Sequence, residues 1–196
     1  WTANNKKWGA GALMFDGSND YVSVPDNDNW TFGTGDFTID TWVKLRARGG
    51  PHQVFVSQYF ADTNYWMLRV LSATNKINFR ATSGGPSVGD FETTSYTLGT
   101  EWTHIAFVRS GSSAYIFVNG VSQPVTTNTA WGTLQNIAGG MGIGWLDPTN
   151  GLYLNGILDS TRIYKGRALS AAEILSNYQA GNIEIQTRSG ATSDPN

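Results

Sequence analysis

The sequence predicts an all-β fold, a two-sheet antiparallel jelly-roll β-sandwich with one short C-terminal helix. Three observations predict it. The 196 residues include 23 Gly, 21 Thr, 16 Ser and 16 Asn, while charged residues make up only 14%, against roughly 25% in an average soluble domain. That mixture suits short strands joined by many turns. Strand-like segments also recur every 8–15 residues or so and end in Gly, Asn, Asp or Pro. Finally, a single stretch carries a full helix signature.

In chain order, strands are expected near 11–16, 20–24, 36–45, 52–58, 64–71, 75–82, 102–109, 114–119, 140–145 and 152–164. In Phe37–Val43, alternation puts Phe37, Ile39, Thr41 and Val43 on one face and Thr38, Asp40 and Trp42 on the other. Bulk on both faces marks a strand inside a layered sheet rather than at an edge. In Tyr65–Leu71, Trp66, Leu68 and Val70 alternate with Tyr65, Met67, Arg69 and Leu71. Tyr115–Asn119 runs into Gly120, and Asn-Gly is a favoured tight-turn pair because both residues tolerate positive φ. Ser170-Ala-Ala-Glu173 is a capping box. Ile174, Leu175 and Tyr178 then share a helix face, and Gly181 stops the helix. Residues 1–185 read as one domain and 186–196 as a polar tail or linker. The chain begins at Trp1 and shows no signal peptide, as expected of a processed chain or a piece of a longer one.

Composition also removes function classes. Net charge is −2, and the 13 Lys and Arg are scattered, so phosphate-led nucleic-acid binding is not expected. Without cysteine there are no disulfides, thiolate zinc sites or thiol nucleophiles. Apolar runs are too short to span a bilayer. Only His52 and His104 are present for imidazole chemistry; His52 reads as a solvated loop residue and His104 as part of the scaffold.

Three segments carry a family resemblance. They are Ala12–Val22 followed by Gly35–Val43; Glu101–Arg109 with Tyr115–Gly120; and Leu154–Tyr164 closing with Arg167–Ile174. In order and spacing they resemble the laminin-G-like, concanavalin A-like lectin/glucanase jelly-roll domains from about residue 10 to 180. The resemblance implies a curved two-sheet sandwich, extracellular or at a virion or cell surface, often with carbohydrate-binding or adhesive function.

Hydrolase relatives of this fold carry a Glu-x-Asp-x-Glu strand motif, because retaining chemistry needs two carboxyl groups about 5 Å apart. The four Glu here (Glu92, Glu101, Glu173 and Glu184) form no such triplet, and there is no Gly-x-Ser-x-Gly elbow. No enzyme is expected. Calcium is the expected cofactor, as it needs six to eight hard oxygens and Asp16-Gly-Ser-Asn-Asp20 offers several in a tight loop. The resemblance implies a structural calcium shared between this segment and a late-strand Asp, here Asp159, with Asp16 and Asp159 as acidic ligands and carbonyls near Ser18. The alternative is an Asp16–Gly17 turn, with Asp159 paired to Arg162 or to a backbone donor.

The strongest functional hint is the 8 Trp, 8 Tyr and 9 Phe. Apolar faces of sugar rings stack on aromatics while polar side chains take the hydroxyls. Trp42 and Trp102 are expected in the core. Two loops combine aromatics with polar groups: Tyr59, Asp62, Tyr65 and Trp66 in one, Trp145, Asp147 and Asn150 in the other. Arg69 and Arg80 are candidate donors beside them. The partner expected is a glycan or cell-surface receptor. The alternative is a structural or decoration domain of a virion or surface assembly, its exposed aromatics then contacting other subunits.

Overall fold

A computed structural model describes residues 1–147 and 149–180. The strands are β1 (Leu13–Asp16), β2 (Val22–Val24), β3 (Phe37–Leu45), β4 (Gln53–Ala61), β5 (Asn64–Val70), β6 (Ile77–Thr82), β7 (Ser87–Thr93), β8 (Thr103–Ser110), β9 (Ser113–Val118), β10 (Val121–Gln123), β11 (Val125–Thr129), β12 (Met141–Ile143) and β13 (Asn155–Lys165). One α-helix among the described residues, α1 (Ala171–Ala180), follows, and Asp28–Trp30 forms a 3-10 turn. The six-stranded sheet runs β1-β13-β3-β8-β9-β10, and the seven-stranded sheet runs β11-β7-β6-β5-β4-β12-β2. The paired strands are antiparallel, as expected for the jelly-roll sandwich.

Alternation builds the core. β3 contributes Phe37, Ile39 and Val43, β5 contributes Trp66, Leu68 and Val70, and all six side chains are buried between the sheets. Phe79 of β6 and Phe107 of β8 stack across the sandwich with centroids 4.1 Å apart, tying the sheets face to face. The opposite face of β3 is buried as well, because α1 covers it. Asn177 Nδ2 donates to Asp40 Oδ2 at 2.8 Å, and Tyr178 stacks on Trp42 at 5.6 Å.

The capping box forms as the sequence predicts. The Glu173 carboxylate accepts the Ser170 N–H at 2.8 Å, and Ser170 Oγ accepts the Glu173 N–H. Ile174 is buried, but Leu175 stays 40% exposed because it leans over the Asn119–Gly120 turn. That turn has positive φ at both residues and joins β9 to β10. The expected stop at Gly181 and the tail at 186–196 lie outside the described residues. Three strands exceed expectation: β7, β10 and β11. No helix of the described residues is long and apolar enough to cross a membrane.

Candidate functional site

The outer face of the seven-stranded sheet carries the residues that alternate with the core. Register brings Tyr59 of β4 opposite Tyr65 of β5, with ring centroids 6.2 Å apart. Arg80 Nε donates to the Tyr65 hydroxyl at 3.1 Å, and Arg80 Nη1 to Asp90 Oδ2 at 3.0 Å. Behind them Arg69 is buried and donates to Asn78 Oδ1 at 2.8 Å. The segment between β12 and β13 folds over this face, and Leu146 and Leu152 pack on Val54 and Met67.

The segment also joins the two loops singled out from sequence. Tyr59 donates its hydroxyl to Asp62 Oδ1 at 2.9 Å, and Asn150 Nδ2 reaches the same oxygen at 3.0 Å. Burial and the bond to Asp62 push the Tyr59 phenol up to about 12, so it remains a donor over the physiological range. Asp147 has a different role from the expected ligand contact. It is 1% exposed, and Oδ1 accepts the N–H groups of Thr149 and Asn150 at 2.7 and 2.9 Å while Oδ2 accepts from Asn150 Nδ2. Its oxygens organise the loop. Asn150 Nδ2 thus serves two carboxylates at once.

Trp145 lies beside this network. Its indole stacks on Tyr21 with centroids 4.0 Å apart and on Tyr153 at 6.1 Å. Tyr21 is 48% exposed. The indole lies close over β12: a Cβ at Gly142 would come within 2.5 Å of Trp145 Nε1, so only glycine allows that approach. Between Trp145 and Tyr59 runs a cleft of about 110 Å³, also lined by Ser23 and Asp147. That is below the roughly 300–1,000 Å³ of an enclosing small-molecule pocket, so a ligand here rests on the surface.

Trp66 does not join the patch, which corrects the sequence expectation. It is 1% exposed within the core, and its Nε1 donates to Gln58 Oε1 at 3.0 Å. Tyr21 and Tyr153, which sequence reasoning passed over, complete the aromatic cluster instead. Tyr21 directly follows the Asp16–Asp20 loop, and this position beside an oxygen-rich loop was the available signal.

The expected calcium ligands do not converge. Asp16 pairs with Asn155, four positions from Asp159 along β13, or about 13 Å of strand. Asp16 Oδ1 accepts the N–H groups of Ser18 and Asn19 at 2.8 and 3.2 Å, and these bonds hold its carboxyl below the ordinary value. Asp159 Oδ2 accepts those of Lys7 and Trp8 at 3.0 and 3.3 Å. Each carboxylate anchors a separate piece of backbone, so Asp16, Ser18 and Asp159 do not fit a shared six- to eight-oxygen shell. Among the described residues no group of three His, Asp or Glu is placed to hold a metal.

Of the two histidines, His52 is half-buried rather than solvated, and its Nδ1 accepts the Ser72 N–H at 3.0 Å. His104 is fully buried on the other side of the molecule. Its Nε2 lies 3.1 Å from Asp40 Oδ1, near enough for attraction but out of line for a hydrogen bond. Arg162 meets the same oxygen at 2.9 Å. This cluster lies beneath α1 and holds it down.

Comparison with solved structures shows the same fold at low identity. Domain 4 of AbnA, a GH43 extracellular arabinanase from Geobacillus stearothermophilus, in complex with arabinotriose, aligns at TM-score 0.65 and 19% identity, covering 84% of this chain and 75% of that one. The binding domain of Paraclostridial Mosquitocidal Protein 1 aligns at TM-score 0.66 and 17% identity, covering 86% of this chain and 43% of that one. The SAP-like heptameric pentraxin of Limulus polyphemus aligns at 0.53 and 17%, covering 83% of each chain. This chain thus spans less than half of the toxin binding domain. No curated protein sequence matches it. The model of the concanavalin A-like lectin/glucanases superfamily matches residues 16–175, and the chain, with its two-sheet jelly roll, belongs to that family.

Proposed function

We propose that this is a non-catalytic, extracellular carbohydrate-binding module whose contact surface is the Tyr21–Trp145–Tyr153 cluster and the adjoining Tyr59–Asp62–Asn150 network. The observation that carries the reading is the half-exposed Tyr21 ring laid on Trp145 at 4.0 Å, beside a patch of fixed hydrogen-bonding groups. A sugar stacks its C–H face on the rings while its hydroxyls meet Asp62 and the Asn150 amide oxygen. The arabinotriose complex of the AbnA domain supports the substrate class. The proposed contact contains no calcium, because Asp16 and Asp159 stand about 13 Å apart along β13 and each already accepts backbone N–H groups.

A second reading, docking into a larger surface assembly, is favoured by exposed Trp1, Trp8, Leu13 and Met14 on the N-terminal arm and β1. A glycan-array screen with calcium and again with a chelator separates the two. Binding to a narrow glycan class, equal in both buffers and weakened in Tyr21→Ala, is the expected result. Absence of glycan binding together with oligomers in solution would overturn it in favour of the assembly reading.

A further inference from the structure

We propose that the glycan site continues past Tyr153 into a second, larger cleft, so that the ligand is a neutral, extended oligosaccharide of at least two sugar units rather than a single terminal sugar. This rests on the carbohydrate-binding reading above and names its substrate class. The second cleft measures about 400 Å³ and is lined by Asp16, Arg48, Gln53, Tyr153 and Asn155 with the Gly49–Gly50 backbone. Its volume falls within the range of true small-molecule sites, roughly 300–1,000 Å³, unlike the shallow cleft beside Trp145. Tyr153 is common to both regions: it packs near Trp145 and Tyr21 and also walls the larger cleft.

The chemistry of the cleft suits a neutral sugar. Arg48 and Asp16 place one cation and one anion on its lining, so neither an acidic nor a basic ligand is favoured overall. Asp16 Oδ1 is committed to the Ser18 and Asn19 amides, which leaves Oδ2 to accept from a hydroxyl. Arg48 and the Asn155 amide supply donors. The floor is rigid. Gln53 donates to the Ala47 carbonyl at 3.2 Å and accepts from Asn155 N–H at 3.0 Å, so it shapes the cleft rather than changing partner when a ligand arrives. The wall is a backbone turn with φ of 79° at Gly49 and 76° at Gly50, and Gly49 N–H is tethered to Asn75 Oδ1 at 3.3 Å.

Calorimetric titration of the whole chain with arabino-, xylo- and malto-oligosaccharides of one, two and three units tests this, using the wild type, Arg48→Ala and Asp16→Asn. In the ladder that binds, affinity is expected to rise about tenfold or more between one and three units. Arg48→Ala and Asp16→Asn remove most of that rise and leave the single-unit affinity within about twofold. The amide resonances of Gly49 and Gly50 shift only with the longer sugars. Equal affinity at every length, or a rise unchanged in both variants, overturns the extended site while leaving the Tyr21–Trp145 contact standing. Failure of all three ladders counts against the carbohydrate reading itself and takes the extension with it.

Discussion

Tyr21 and Trp66 make opposite predictions although both are large aromatics. Tyr21 is 48% exposed and Trp66 is 1% exposed. Tyr21→Ala should therefore weaken glycan binding by about 1–3 kcal/mol, as truncation of an interface hot spot does, with little change in stability. Trp66→Ala should cost about 3–5 kcal/mol of stability through the cavity it leaves, besides stranding Gln58 Oε1. Calorimetry and urea unfolding on both variants check the contrast. Reversed effects would place the site elsewhere. The distinction was already present in the sequence. Successive strand residues point to opposite faces, so Tyr65 and Trp66 belong to different surfaces; grouping both in one glycan-binding loop overlooked that alternation, which sets Trp66 with Leu68 and Val70. Asp159 gives a second test at this scale. Its carboxylate tethers the N-terminal arm through Lys7 and Trp8, so Asp159→Ala should cost about 1–2 kcal/mol, equally in calcium and in chelator. A loss seen only with calcium would restore a metal role. The register that separates Asp159 from Asp16 depends on how β1 meets β13, which no local pattern encodes.

At the scale of elements, α1 is held to the six-stranded sheet by a buried charge. Burial pushes the Asp40 carboxyl up, but the His104 ring and the Arg162 guanidinium more than offset this, and its pKa falls below the ordinary value of 3.8. A carboxyl held low in the fold contributes stability that is present above its unfolded pKa and lost as pH falls through its folded one. Stability of wild type should therefore drop below about pH 4. Asp40→Asn should cost about 3 kcal/mol at pH 7 and make the acid decline shallower. Urea midpoints at pH 7, 5, 4 and 3 decide this, and an unchanged acid slope in the variant would show that Asp40 does not hold α1. Elements of this kind were legible where period and capping agreed, as in β3, β5 and the Ser170–Glu173 box. β7 was not, because Gly89 and Asp90 interrupt its apolar alternation with residues depleted in strands. Gly89 is there because a Cβ would meet Trp131 at 2.7 Å, and Asp90 because Asn78 and Arg80 pair with it across the sheet. β11 is a Thr-rich edge strand, and its polarity suits an edge while imitating a loop in sequence.

For the molecule as a whole, low charge and fixed aromatic surfaces set the kind of partner. The family segments and the strand spacing made the sandwich legible except for β7, β10 and β11. The site was legible only as two separate loops, because the Asp147 turn that carries Asn150 to Asp62 is a tertiary contact between β4–β5 and the segment before β13. With net charge −2 and basic residues scattered, the protein has no field with which to gather an anionic polymer. A binder that neutralises 6–10 phosphates loses about 10³–10⁵ in affinity between 50 and 200 mM salt. Stacking on Tyr21, Trp145 and Tyr153, with hydroxyls bonded to Asp62 and Asn150, releases no comparable counterions. Glycan affinity should therefore change by no more than about twofold between 50 and 500 mM sodium chloride, since contacts without net charge are weakly screened. Duplex DNA should not bind at either salt. Titrations of the tightest array glycan at both salts measure this directly. A fall of a hundredfold or more would mean that the ligand is polyanionic and held by Arg48, Arg80 and their neighbours, and the neutral stacking site would have to be abandoned.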